Sequence, residues 1–337
     1  MKIVATRFGD PSVLTMTSAD TRSPSAEEVA IDVRAAGVNP RDYKIYRDAG
    51  YARAGAQPPP QFPIPLGVEA AGVVTAVGKN AYGPTGPIQV GDEVIAYRIA
   101  GAYATRVVVD AANVIPKPTR LSWTQAASMM LVGTTAAHCL ASVRARPGET
   151  ILVHGAAGGV GLSVIQLAVL DGIAVVGVCS EAHFPSLHRY GAIAVARGDG
   201  LRERITVATP NGVDAAIDLT GSDEAIDASL ALVADRSRIV TVVGFKRAAS
   251  AGIQALGGSP GQSEHGISIR NNARLRLTAL AQAGAFDIKV ARTFALAEAS
   301  AAHELLARGG VGGRIVLTAN DASDGSGEQP GTSADRS

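Results

Sequence analysis

The sequence is that of an α/β protein in two units, a β-rich region first and a doubly wound parallel sheet after it. Three observations carry this reading. Up to about residue 120, short β-branched runs alternate with glycine and proline. From 150 to about 245, continuous apolar runs alternate with amphipathic helical stretches, and one apolar run passes through a glycine turn straight into a helix. Buried apolar strands separated by helices call for a parallel sheet covered on both faces. The length of 337 residues suits two domains of ~100–200 residues each.

Each element follows in order. Strands are expected at 29–38, 70–78, 92–97 and 103–109, with loops at the proline-rich stretches 57–65 and 83–87. A helix is expected from Leu121 to Val143, N-capped by Ser122 and ended before Pro147. The alternation then runs ILVHG, GGVGLSVIQLAVLDG, AVVGVCS, EAHFPSLHRYGA, AIAVA, LRERITVA, DAAIDL, SDEAIDASLALVA and RIVTVVGF. Residues 247–266 read as a loop. A short strand ISI, a helix near 271–284, a strand near 288–294, a helix around 297–308 and a last strand RIVLT follow. From Asn320 no large apolar residue remains, so a disordered tail is expected over 320–337.

Composition excludes several classes. Hydrophobic residues are 47% of the chain and charged ones 18%, enough to bury a sizeable core. Thirty-one basic against 30 acidic residues leave a net charge of +1, which recruits neither nucleic acid nor an anionic membrane. No run approaches the ~18 apolar residues of a spanning helix. MKIVATRFGDP lacks a signal peptide's apolar stretch, so a cytoplasmic location is expected. Cys139 and Cys179 cannot build a disulfide framework or a Cys-rich zinc site, and the six histidines show no paired metal spacing. GGSPG at 257–261 matches a nucleophile-elbow pattern, but Pro260 and loop-like surroundings argue against a strand–Ser–helix context for Ser259. The basic stretch RNNARLR at 270–276 has no interleaved aromatics and reads as a solvated helix face.

The most informative string is ILVHGAAGGVG, residues 151–161. Its frame falls on Ala156, Gly158 and Gly161, with Gly159 and Val160 between them. Small residues there let backbone N–H groups approach a pyrophosphate at the positive end of the following helix. The order strand, turn, helix within a long αβ alternation is the context a dinucleotide site requires. The second strand ends at Cys179 and Ser180 rather than at the acid that usually holds both ribose hydroxyls of NAD, and Glu181 comes late. A neutral mouth suits a 2′-phosphate, so NADP(H) is the expected cofactor.

Taken together, GVNPRDYKIYR (37–47), LGVEAAGVVTAVG (66–78), GDEV (91–94), GTTA (133–136), HGAAGGVG (154–161), VVGF (242–245) and GGRIVL (312–317) resemble the medium-chain dehydrogenase/reductase superfamily. Within it, the chain resembles the zinc-free quinone oxidoreductase, ζ-crystallin-like, branch over about residues 1–318. The resemblance implies a GroES-like β domain (1–120) interrupted by a Rossmann dinucleotide domain (121–269) and completed by 270–319. It also implies a homodimer acting on a small-molecule substrate. Where zinc-dependent members carry ligands, this chain has Asn39, Val68 and Leu131, so no metal site is expected.

The resemblance further implies roles for single residues. Asn39 would donate to a substrate oxygen as charge develops, or simply serve as a turn residue before Pro40. Tyr46 would present its phenol at the pocket wall, and Thr135 would lie beside the nicotinamide or bond its own helix. For the cofactor, Thr220, Gly244, Phe245 and Arg314 join the glycine turn. Ser180 matches the serine that relatives place at the 2′-phosphate; His183 stands at their lysine position, and Arg197 is the nearest candidate for a missing tyrosine. The implied activity is NADPH-dependent hydride transfer to a quinone or an α,β-unsaturated carbonyl. The alternative is an NADPH-binding sensor or structural protein with negligible turnover.

Overall fold

The computed structural model describes residues 1–47, 61–257 and 264–319. The first region contains β1 (Lys2–Ala5), β2 (Leu14–Thr17), β3 (Glu28–Val38), α1 (Pro40–Arg47), β4 (Ile64–Pro65), β5 (Glu69–Val77), β6 (Tyr82–Gly83), β7 (Gly86–Pro87), β8 (Glu93–Tyr97), β9 (Arg106–Asp110) and β10 (Val114–Pro116). Next come α2 (Trp123–Ala126), α3 (Met130–Ser142), β11 (Thr150–His154), α4 (Gly159–Leu170), β12 (Ala174–Cys179), α5 (Phe184–Arg189), β13 (Ile193–Ala196) and α6 (Leu201–Ala208). The alternation continues with β14 (Ala215–Asp218), α7 (Asp223–Leu232), β15 (Ile239–Thr241), α8 (Phe245–Ala251), β16 (Gln254–Ala255) and α9 (Glu264–Ala283). Last come β17 (Val290–Ala295), α10 (Ala299–Arg308) and β18 (Arg314–Thr318).

The parallel sheet has the order β13-β12-β11-β14-β15-β16, the doubly wound arrangement in which strand order reverses between β11 and β14. Its strands carry continuous buried apolar runs, Ile151–Val153 and Val175–Val178 among them, as a sheet covered on both faces requires. The larger β sheet has the order β10-β8-β5-β3-β18-β17, with β9 also on β3. Its last two strands come from the chain's end: β18 pairs antiparallel with β3, Ile315 opposite Val38 and Thr318 opposite Ala35. The chain therefore leaves the β region, builds the parallel unit and returns.

Four expectations need correction. The helix expected over 121–143 is two helices, α2 and α3. Between them the Ser128 hydroxyl donates to the Thr124 carbonyl at 2.8 Å, and the Ser128 carbonyl accepts from Arg314 Nε at 3.1 Å instead of from the helix. The ISI strand at 267–269 lies inside α9, whose buried Ala273, Leu277 and Ala281 recur every four residues. The expected domain boundary at 269–270 also falls inside this helix, which packs on α3 with Leu277 filling the space at Gly133; the chain rejoins the β sheet only at β17. The expected loop from 247 holds the end of α8, closed by Gly252 at φ +69°, and β16. Ser259 and the tail from Asn320 lie outside the described residues.

The N-terminus of α2 matches its sequence signal. Ser122 Oγ accepts from Gln125 N at 3.2 Å, while Gln125 Oε1 accepts from Ser122 N at 3.1 Å. Such reciprocal caps satisfy two otherwise orphaned donors. Ser122→Ala is expected to cost about 1 kcal/mol, measured as a lowered thermal-unfolding midpoint; an unchanged midpoint would show the cap to be energetically idle.

Candidate active site

A cleft of about 1300 Å³ opens where the strand order reverses, the place where doubly wound sheets take their ligands. One wall is the turn after β11. Gly155 takes φ +74°, and Gly158 caps α4 with no side-chain hydrogen bond, so the first N–H groups of α4 open towards the cleft. A Cβ on Gly161 would sit 2.5 Å from the Ala156 carbonyl oxygen, which forces glycine there. Gly158, Gly159, Val160 and Gly161 line the cleft. Ala156 does not; it is buried under the turn, where its Cβ packs on Gly177.

At the far end of β12, Ser180, His183 and Arg197 line the cleft, and the exposed Glu181 does not. The Arg197 guanidinium meets no partner among the described residues. His183 is held instead: its ring lies against Gly312, and Nε2 is 3.3 Å from the Gly310 carbonyl oxygen. Thr220 stands at the rim with its hydroxyl donating to Asp218 at 2.7 Å. Phe245 lines the cleft, whereas Gly244 lies behind it and donates to Thr241 Oγ1 at 2.9 Å.

Asn39 also lines the cleft, but not as a free donor. Its Nδ2 donates to the Gly37 carbonyl and to Glu69 Oε1, both at 3.2 Å. Its Oδ1 accepts from Arg314 Nη2 at 2.8 Å. An amide has two donor protons, and both are committed, so the oxyanion role expected for Asn39 is corrected to a positioning one. Arg314 likewise gives its head group to protein: Nη2 bonds Glu69 Oε1 at 2.7 Å, and Nε bonds Ser128. Only its stem borders the glycine turn, since a Cβ on Gly159 would meet Arg314 Cδ at 2.4 Å. Burial pushes the Glu69 carboxyl up, opposed by Arg314, the Leu131 N–H and the Asn39 amide. Glu69 went unread in the sequence, although a lone acid inside the apolar run LGVEAAGVV was the available signal.

Tyr46 is also corrected. It is fully buried and outside the cleft, its hydroxyl 2.8 Å from His303 Nδ1. His303 Nε2 lies 3.1 Å from the Tyr103 hydroxyl, which donates to Asp42 Oδ2 at 3.0 Å. With Tyr103 donating to Asp42, the chain closes if neutral His303 carries its proton on Nε2 and accepts from Tyr46 on Nδ1. Burial lowers His303 to about 4 and raises Asp42 to about 6. Asp42 lines the cleft.

Thr135 is a cleft residue left chemically open. It is 8% exposed, and its hydroxyl has no hydrogen-bond partner among the described residues. The neighbouring Thr134 shows the other behaviour, bonding Tyr97 at 3.0 Å and the Leu131 carbonyl at 3.5 Å. Among the described residues no group of three His, Cys, Asp or Glu side chains could hold a metal ion, and no helix is long and apolar enough to cross a membrane.

Comparison with known proteins agrees with this architecture. Residues 25–119 match the alcohol dehydrogenase GroES-like domain, and residues 191–317 match a family described as zinc-binding dehydrogenase. A quinone oxidoreductase of Pseudomonas aeruginosa is 32% identical over 328 residues, covering 92% of this chain and 97% of that protein. The Escherichia coli quinone oxidoreductase complexed with NADPH superposes with a TM-score of 0.79 at 27% identity, over 94% of this chain and 99% of that one. The Coxiella burnetii quinone oxidoreductase gives 0.78 at 28%, over 95% and 99%. The chain belongs to the quinone oxidoreductase branch of the medium-chain dehydrogenase/reductase superfamily. It is an oxidoreductase.

The raised Asp42 fixes a pH dependence. The folded protein favours the neutral acid, so this contribution is full below the ordinary value of 3.8 and is lost as pH rises through about 6. Asp42→Asn, which cannot charge, should therefore gain on wild type by roughly 2 kcal/mol between pH 4 and pH 7.5. Urea unfolding of both proteins across that range tests it; parallel stability curves would show that Asp42 titrates normally.

Proposed function

We propose that this oxidoreductase is an NADPH-dependent reductase that adds hydride to a quinone, or to the β-carbon of an α,β-unsaturated carbonyl, without a metal. The observation that carries the reading is the cleft itself, lined by both the open end of α4 and the unpaired Thr135 hydroxyl. The residues present fit the cofactor. The α4 N–H groups suit a pyrophosphate. At the β12 end, where a carboxylate would select NAD, Ser180 and the unpartnered Arg197 suit a 2′-phosphate. When bound, NADPH supplies the hydride from C4 of its nicotinamide.

The chain's own residues do the rest. Thr135 donates to the substrate oxygen as negative charge builds on it, the role first expected of Asn39. Asn39 holds the wall in place through Glu69 and Arg314. Among the described residues, Asp42 and Glu224 are the carboxyls lining the cleft. Asp42, whose pKa burial raises to about 6, is the proton source in this reading. At the positions where zinc-dependent relatives hold the metal, Asn39, Val68 and Leu131 offer no thiolate, imidazole or carboxylate. We place the enzyme in the cytoplasm as a homodimer.

Steady-state oxidation of NADPH by 1,4-benzoquinone and by a simple enone, before and after prolonged chelation, tests the reading. Turnover that survives chelation is expected. Absence of turnover on both acceptors, with NADPH still bound, would favour the sensor alternative, and loss on chelation would overturn the metal-free claim. Thr135→Val should lower kcat by a factor on the order of 10² with NADPH affinity within about twofold; a kcat within about threefold, roughly 0.6 kcal/mol, would remove Thr135 from the chemistry.

Cofactor choice has its own test. Arg197→Gln should weaken NADPH binding about tenfold or more, the worth of a charge-assisted bond, and leave NADH binding unchanged. His183→Gln should do less, because that ring is already engaged by the 310–312 loop. Equal effects of Arg197→Gln on the two cofactors, read by fluorescence titration, would move the 2′-phosphate elsewhere.

A further inference from the structure

Beyond Thr135 the cleft wall carries positive charge that the fold does not neutralise. Arg98, just after β8, lines the cleft with φ +65°, a left-handed conformation that costs a side-chain-bearing residue ~1 kcal/mol or more. Its Nη1 donates to Asn271 Oδ1 at 3.3 Å. The adjacent residue on α9, Arg270, is half-buried in the same cleft and donates from Nε to His138 Nδ1 at 3.2 Å. Its two terminal nitrogens meet no partner among the described residues. Behind them Arg274, 9% exposed, bonds the Ala112 carbonyl from Nη1 at 3.1 Å, while its buried Nε has no partner.

No carboxylate pairs with Arg98, Arg270 or Arg274 among the described residues. Of the carboxyls that the described residues bring to the cleft, Asp42 is bonded by Tyr103, and Glu224 accepts from Gly198 N at 2.9 Å. The half-buried Arg238, by contrast, is paired with Glu149 at 2.6 Å. Unpaired, partly desolvated guanidinium groups are costly. Burial and the nearby Arg98 lower the pKa of Arg274, and burial, Arg270 and His265 press His138 down to about 4. An anion would complete the cluster.

Its position says which molecule brings that anion. His138 lies three residues beyond Thr135 on α3, a rise of ~4.5 Å, so Arg270 meets α3 about one helical turn past the open hydroxyl. The 2′-phosphate end of the cleft is elsewhere, at Ser180 and Arg197. We propose that Arg270 and Arg98 form an anion-binding subsite for the substrate, so that the preferred acceptor is a quinone or enone bearing an acidic group such as a carboxylate or sulfonate. This rests on the reductase reading for its catalytic consequence, but the binding itself does not.

Two experiments separate the claims. The first is calorimetric binding of naphthalene-2-sulfonate and of its neutral analogue naphthalene-2-sulfonamide, with NADPH saturating. The sulfonate should bind about tenfold or more tightly. That preference should vanish in Arg270→Gln, survive in part in Arg270→Lys, and shrink in ~0.5 M salt, where screening is strong. Equal affinities, a preference that outlives Arg270→Gln, or displacement of the sulfonate by NADPH would each overturn the subsite. The second is kcat/KM for 1,2-naphthoquinone-4-sulfonate relative to 1,2-naphthoquinone. The ratio should fall about tenfold in Arg270→Gln, whatever happens to the absolute rates; a constant ratio would overturn the substrate assignment. Anion-selective binding without turnover of either quinone would leave the subsite standing and remove the reductase reading. Turnover of both quinones without anion selectivity would do the reverse.

Discussion

The buried ion pair between Glu69 and Arg314 is the interaction around which the site is assembled. Glu69 opens β5 and Arg314 opens β18, 245 residues apart in sequence and 2.7 Å apart in space. Together they bond Asn39 at the end of β3, the Leu131 N–H at the start of α3 and the Ser128 carbonyl between α2 and α3. The Arg314 stem packs on Gly159 at the start of α4. One pair thus ties the β sheet to the first helices of the parallel unit and touches the glycine turn. Gly37 must be glycine for this to fit, because a Cβ there would sit 2.6 Å from Glu69 Oε1 and 2.7 Å from the Ala127 carbonyl oxygen.

Such a pair is not retained for stability as such. Desolvating both ions offsets most of their attraction, and an apolar replacement of the whole pair is often neutral or better, whereas removing one partner costs about 3–5 kcal/mol. The favourable reading is geometric. The hydrogen bonds of the two groups reach the end of β3, the start of α3 and the α2–α3 junction, so those elements meet in one arrangement only. Specificity of position, rather than net free energy, is what the interaction supplies to the cleft.

How legible this was in the sequence depends on the range of the forces involved. The parallel alternation, the glycine turn and the Ser122 cap are local patterns, and they appear in the structure where the residues put them. The split between α2 and α3 was not local: Leu121–Val143 is helical by composition, but Arg314 and Glu69 claim the Ser128 carbonyl and the Leu131 N–H from outside. ISI at 267–269 is β-branched and short, yet α9 carries it because Leu277 packs at Gly133. The same distinction runs through the site. Gly161 was readable because backbone geometry dictates it, whereas Asn39 and Tyr46 were placed by resemblance, which cannot show that their polar atoms are already spent. Thr135 and Thr134 are adjacent in sequence and alike in chemistry. Only the Tyr97 hydroxyl, reaching Thr134 from β8, decides which of the two is left for a ligand.

Asn39 lies between two buried polar clusters that do different work. Its side chain belongs to the Glu69–Arg314 cluster, and its backbone N–H donates to Asp42 Oδ2 at 3.0 Å, in the cluster that runs through Tyr103 and His303 to Tyr46. The first cluster carries full charges locked by geometry and joins units. The second contains an acid raised to about 6 and an imidazole lowered to about 4, so near neutral pH its imidazole is uncharged and its acid is poised to give or take a proton. A rigid ionic anchor on one side of the turn and a titratable chain on the other hold one wall of the cleft still while leaving it able to exchange a proton with what binds there. Hydride transfer makes that demand on a protein wall: the acceptor must be held in register, and the charge that develops on it must be met without the wall moving.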